Sequence, residues 1–153
     1  MSSYEVVRMT TVDADPATVH GLIDDLRRWP AWSPWEDLDP DLTRSYTGAE
    51  AGVGARYAWK GNRKAGEGSM EITASTVEEV ELALAFVKPF RSTSTVTFEL
   101  LPTAAGTDVT WRMTGEQKGA AALFGKVVSM DKLVGKDLEK GLARLKAVAE
   151  SGA

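Results

Sequence analysis

From Val80 to Met113 the apolar residues fall on every second position, and from Phe124 to Ala149 they recur at every third or fourth. This change of period restricts the possible folds more than any other feature of the chain. Val80, Leu82, Leu84 and Phe86 alternate with Glu79, Glu81 and Ala83; Val96, Phe98 and Leu100 alternate with Thr95, Thr97 and Glu99; Val109, Trp111 and Met113 alternate with Thr110, Arg112 and Thr114. A period of two describes strands with one dry face. Tyr57 and Trp59 share one parity, as do Met70, Ile72 and Ala74, which adds two earlier strands. Lys60-Gly61-Asn62 and Thr103-Ala104-Ala105-Gly106-Thr107 have the composition of hairpin connections, so the sheet is expected to be antiparallel.

Phe124, Val127, Met130, Val134, Leu138, Leu142, Leu145 and Ala149 then make one face of a long amphipathic helix, with Lys136, Lys140 and Arg144 on the other side. Gly125, Gly135 and Gly141 each weaken that helix by roughly 1 kcal/mol relative to Ala, so its packed face must hold it in place.

Upstream of the sheet, Tyr4 to Val12 forms a first strand. Asp15 and Pro16 are suited to N-cap and first helical position, and Val19, Leu22, Ile23 and Leu26 supply the apolar face of the helix that follows. The heptapeptide WPAWSPW, residues 29–35, contains three of the five tryptophans. Pro30 and Pro34 bias it toward a turn or loop rather than a helix. No repeat, low-complexity tract or second domain is evident, so residues 1–153 read as a single domain.

The bulk numbers narrow the functional classes. A chain of 153 residues with 43% hydrophobic and 26% charged residues has the composition of an ordinary globular domain. No apolar run reaches membrane-spanning length, and the first residues lack the pattern of a secretory signal, so a cytoplasmic location is expected. With no cysteine there is no disulfide, thiolate metal site or cysteine nucleophile. A net charge of -4 argues against nucleic acid as a partner.

Several motifs come close to chemistry and stop short. Asp37-Leu38-Asp39-Pro40-Asp41 begins like a calcium loop, but Leu42 stands where glycine is required and Gly48 where glutamate is required. The Gly119 to Gly125-Lys126 stretch has the wrong spacing for a phosphate loop and Val127 in place of Ser or Thr. Gly52-Val53-Gly54 lacks a third glycine and reads as a turn or bulge. Ser129-Met130-Asp131-Lys132 has the serine–lysine spacing of penicillin-binding enzymes without their other elements. His20 is the sole histidine and is expected to face solvent, so no metal site and no cofactor are predicted. Arg56, Lys60, Arg63 and Lys64 form a basic cluster whose simplest reading is a solvated turn.

Taken in order, Asp15-Pro16, WPAWSPW, Gly52-Val53-Gly54 before Tyr57-Ala58-Trp59, Gly66-Glu67-Gly68, Phe86-Val87-Lys88-Pro89-Phe90, Gly106-Thr107-Asp108-Val109-Thr110-Trp111, Met130-Asp131 and Lys136-Asp137-Leu138-Glu139-Lys140-Gly141-Leu142 resemble the START-like (SRPBCC) superfamily. The likeness is to its bacterial polyketide cyclase/dehydrase and lipid-transport branch, over nearly the whole chain. The resemblance implies an α+β helix-grip fold: a curved antiparallel β-sheet around a long C-terminal α-helix, with two short helices after the first strand. It also implies a cavity between sheet and helix for a small hydrophobic or lipid-like molecule. Trp29 is then expected in the core and Trp32 and Trp35 at the pocket mouth, with Tyr57, Trp59, Met70, Ile72, Leu84, Phe86, Phe98, Trp111, Met113, Met130 and Val134 as ligand-lining residues.

That inner face holds no acid, base or cation among the assigned strand positions, which suits binding or carriage better than proton transfer. Two alternatives stay open: a cofactor-independent cyclase, aromatase or dehydratase using Asp131 or Tyr57, and a regulatory protein-interaction module presenting WPAWSPW. Ligand identity and oligomeric state are not readable from the sequence.

Overall fold

The computed structural model describes residues 2–35, 39–88, 91–117 and 130–152. Seven strands, β1 (Ser2–Val12), β2 (Thr43–Gly48), β3 (Ala55–Lys60), β4 (Glu67–Thr76), β5 (Glu79–Lys88), β6 (Ser92–Thr103) and β7 (Gly106–Gln117), form one antiparallel sheet in the order β1-β7-β6-β5-β4-β3-β2. Each hairpin link keeps neighbours in sequence side by side, and β1 is placed at the far edge by pairing with β7 along its whole length.

Between β1 and β2 lie helix α1 (Pro16–Ile23) and a 3-10 helix (Leu26–Ala31). The Asp15 side chain accepts from the Thr18 N–H, capping α1 as its sequence position predicts, and this bond holds the Asp15 carboxyl below its ordinary range. The 3-10 helix runs through Trp29 and Pro30, where a turn or loop is expected from sequence. Proline is tolerated there because its fixed φ matches a 3-10 turn and only one i to i+3 bond is lost.

Helix α2 (Met130–Glu150) packs along β1 and reaches β7, with Leu138, Leu142, Leu145 and Ala149 buried beneath it. The two described glycines of α2 permit close approach. A Cβ on Gly141 would lie 2.7 Å from the Trp111 ring and 2.9 Å from Pro34, and one on Gly135 would collide with the Arg8 guanidinium. Phe124, Val127, Gly125, the Gly119–Lys126 and Ser129 motifs and the first part of the acidic Asp37 stretch lie outside the described residues. No described helix is long and apolar enough to cross a membrane.

One register feature departs from the sequence reading. A β-bulge in β4 between Ile72 and Ala74 shifts the ladder, so that Ala74 pairs with Glu81 and Ser75 with Val80. The extra residue reverses parity, turning Ala74 to the outer face and Ser75 to the inner one, beneath α1.

Candidate functional site

The concave face of the sheet divides into two halves of different character. Over β6 and β7 it is filled by the heptapeptide. Trp29 and Trp32 lie 4.5 Å apart between ring centroids, and both meet Phe98 and Trp111 edge-on at 5.7 to 6.3 Å. The Trp29 Nε1–H donates to the Ile23 carbonyl and the Trp32 Nε1–H to the Leu22 carbonyl, so two indoles tie α1 to the sheet. Trp32 is fully buried, as are Ile72, Phe98 and Trp111.

The expectation that Trp32 marks a pocket mouth is therefore corrected. Its N–H needs a buried carbonyl and its ring packs against Trp29, Phe98 and Trp111, which draws it inward. Ile72, Phe98 and Trp111 face inward as parity predicts, but they are sealed against neighbours rather than open to a ligand. Trp35 is half-buried, edge-on to Trp111 at 5.7 Å, and donates Nε1–H to Asp137 Oδ2 of α2. WPAWSPW thus presents no exposed aromatic patch for a protein partner.

Over β2 to β5 the same face is different. Tyr46, Tyr57, Trp59 and Phe86 follow one another in contact, with centroid separations of 5.2, 5.8 and 5.4 Å, and each stays partly exposed. Cross-strand pairing builds this band: Tyr46 opposes Tyr57, Tyr57 opposes Met70, Trp59 opposes Gly68 and Gly68 opposes Phe86. Gly68 is required because a Cβ there would come within 2.6 Å of the Trp59 indole, which lies across it. The Trp59 Nε1–H is held by the Ala65 carbonyl, fixing the ring. Met70 and Leu84 form the buried floor, and the Arg27 guanidinium sits 4.6 Å above the Tyr46 ring at one end.

The band brings together Tyr57, Trp59, Met70, Leu84 and Phe86 from the expected set. Met113 and Val134 lie toward the filled half, and the Met130 side chain lies outside the described residues. Tyr46 and Arg27 are site residues that sequence reasoning missed. TRSYTG, the β2 sequence, is mostly exposed and has no apolar alternation to signal a strand. Arg27 meets Tyr46 only through the tertiary fold.

Asp131 does not serve as an inward acid. Arg8 is on the inner side of β1, opposite Trp111, a charged inward position the parity argument overlooked. Its guanidinium grips Asp131 in bidentate fashion at 2.9 and 3.0 Å and donates Nε–H to Glu139 at 2.9 Å. The hydrogen bond from Arg8 holds the exposed Asp131 carboxyl below its ordinary range, so it stays ionised where an acid catalyst needs a proton.

Arg112 and Glu71, whose outward parity the sequence predicts, are on the convex face, pairing with Glu5 and Glu99 and with Arg56. Arg56 is thus part of an ion pair rather than a free basic patch. An open depression of about 230 Å³ beside β2, β3 and β4 is lined by both polar and apolar residues, among them Thr43, Ser45, Ala58, Trp59, Lys60 and Val87. His20 is only partly exposed rather than free in solvent: its Nε2 is 2.9 Å from Ser75 Oγ. No group of three or more metal-ligating side chains occurs among the described residues.

Comparison with known proteins agrees with this architecture. The family model described as polyketide cyclase / dehydrase and lipid transport matches residues 3–150. Among solved structures, the chain is similar to protein CV1439 from Chromobacterium violaceum at 15% identity and a TM-score of 0.66, covering 95% of this chain and 97% of that one. It is similar to the KanY protein at 18% identity and a TM-score of 0.68, covering 98% and 99%. It is also similar to major latex-like protein 151 from Panax ginseng at 14% identity and a TM-score of 0.68, covering 96% and 97%. A search of the curated proteins finds no match. With the curved antiparallel sheet, the C-terminal helix and a family match over almost its whole length, the chain belongs to the polyketide cyclase / dehydrase and lipid transport family.

Proposed function

We propose that this protein binds or carries a small hydrophobic molecule on the concave face of β2 to β5. The observation that carries the reading is the band Tyr46, Tyr57, Trp59 and Phe86: four rings in a row, half-buried, above an apolar floor of Met70 and Leu84. A side chain that only filled a core would be sealed, as Trp32, Phe98 and Trp111 are. Rings left partly open, yet fixed by stacking and by the Trp59 hydrogen bond, offer π-faces to a ligand at little ordering cost. The polar handles along this surface are few, as in most small-molecule sites. Carriage is favoured over cyclase chemistry because Asp131 is neutralised by Arg8, which leaves Tyr57 as the remaining candidate acid or base from the sequence.

The test is a thermal-shift screen with fatty acids, quinones and aromatic polyketides, alongside native mass spectrometry of freshly purified protein. At about 100 times Kd a ligand adds about 2.7 kcal/mol, worth roughly 5 to 11 °C in Tm for a domain of this size. Trp59→Ala should abolish the shift. Absence of any shift across the panel, with no co-purified molecule, would sink the carrier reading, and turnover of a polyketide that Tyr57→Phe removes would replace it with the enzyme.

A further inference from the structure

Apart from the aromatic band, the bulge in β4 creates an arrangement that the ligand site does not use. Three side chains from two elements converge: His20 Nε2 lies 2.9 Å from Ser75 Oγ, and His20 Nδ1 lies 3.7 Å from Asp24 Oδ2. His20 and Asp24 are one turn apart on α1 and its C-cap, and Ser75 reaches them only because the extra residue in β4 turns it to the inner face. Without the bulge Ala74 would occupy that side. Bulges are enriched beside active sites because they re-aim one side chain in this way. The cluster is open to solvent, the His20 and Asp24 side chains being 21% and 20% exposed.

We propose that Ser75 is a nucleophile, with His20 as its general base and Asp24 positioning the imidazole, and that it is acylated by small activated esters. The serine–imidazole separation is within the reach required of a nucleophile and its base. Asp24 is held in place: its backbone N–H donates to the His20 carbonyl and its own carbonyl accepts from Gly52 N–H at 2.8 Å. The 3.7 Å gap to Nδ1 exceeds hydrogen-bond length, so in this state Asp24 orients the imidazole from the Nδ1 side without a direct hydrogen bond.

In the step itself Oγ attacks the ester carbonyl carbon, the new Oγ–C bond forms and the bond to the leaving oxygen breaks. The Oγ proton passes to His20 Nε2 and from there to the departing oxygen. A water molecule activated by the same imidazole then hydrolyses the acyl-serine, releasing the acid and restoring Ser75. This chemistry is independent of whether the aromatic band carries a ligand.

The test uses the intact protein with a fluorophosphonate probe, in which Oγ displaces fluoride to leave a stable phosphonyl adduct. Tryptic mass spectrometry should find the adduct on Ser75. It should vanish in Ser75→Ala, and His20→Gln should slow its formation by about 100-fold or more. Asp24→Asn should lower kcat for p-nitrophenyl acetate while leaving KM unchanged. Circular dichroism melts of the three variants separate loss of reactivity from loss of fold, and His20→Gln provides a second readout with Ser75 intact. An unlabelled Ser75, labelling undiminished in Ser75→Ala, or wild-type kinetics in a folded His20→Gln protein would each overturn the proposal.

Discussion

Trp32→Ala and Trp59→Ala should separate stability from ligand binding, because two tryptophans on the same concave face meet opposite surroundings. Trp32 is fully buried, touches Trp29, Phe98 and Trp111, and caps the Leu22 carbonyl at 2.9 Å. Truncation to alanine removes a large buried ring at a cost of about 3 to 5 kcal/mol. The orphaned carbonyl of Leu22, itself buried, pushes the loss toward the upper end of that range. A loss of about 5 kcal/mol corresponds to roughly 10 to 20 °C in Tm for a chain of this length. Trp59 is half-buried, stacked on Tyr57 and edge-on to Phe86, so its removal should cost only about 2 kcal/mol. Urea unfolding followed by far-UV circular dichroism measures both, and a fluorescent apolar probe measures binding in the same samples. The reasoning is refuted if Trp32→Ala costs less than Trp59→Ala, or if Trp32→Ala abolishes probe binding in protein that remains folded while Trp59→Ala leaves it intact.

Acid titration tests the Arg8 clasp. Asp131 has a lowered carboxyl, so its stabilising effect is fully present above the unfolded carboxylate range and is lost as pH falls through its folded value, below about pH 4. In Arg8→Gln that part of the acid-induced fall in Tm should disappear, while the parts from Asp15 and Glu150, lowered by their own hydrogen bonds, remain; an unchanged Tm–pH profile would contradict this. Gly141→Ala should lower Tm even though alanine is about 1 kcal/mol better in a helix, because the added Cβ meets Trp111 and Pro34 under 3.0 Å. A rise in Tm would show that α2 yields easily at that point.

Much of the fold was legible because it depends on period. The strands at Val80, Val96 and Val109 alternate, hairpin-length links bring them together, and the apolar face of α2 follows from its spacing of three and four. The β2 strand was not legible, since an exposed edge strand carries no alternation. The bulge in β4 was hidden for a related reason: a single inserted residue leaves composition untouched and reverses everything after it.

Sequence alone determined which residues turn inward on most of the sheet, and with them the apolar character of the concave face. It could not divide that face into a sealed half and an open half. The division depends on where WPAWSPW lands, and that is settled by two indole N–H groups finding the carbonyls of Ile23 and Leu22, in residues 6 and 10 positions upstream. The joining of Arg8 to Asp131, 123 residues apart, and of His20 to Ser75, 55 apart, likewise had to wait for the chain to close. Periodicity reports which face a side chain takes. Only packing in three dimensions decides what it meets there, because burial and pairing depend on neighbours that local sequence does not contain.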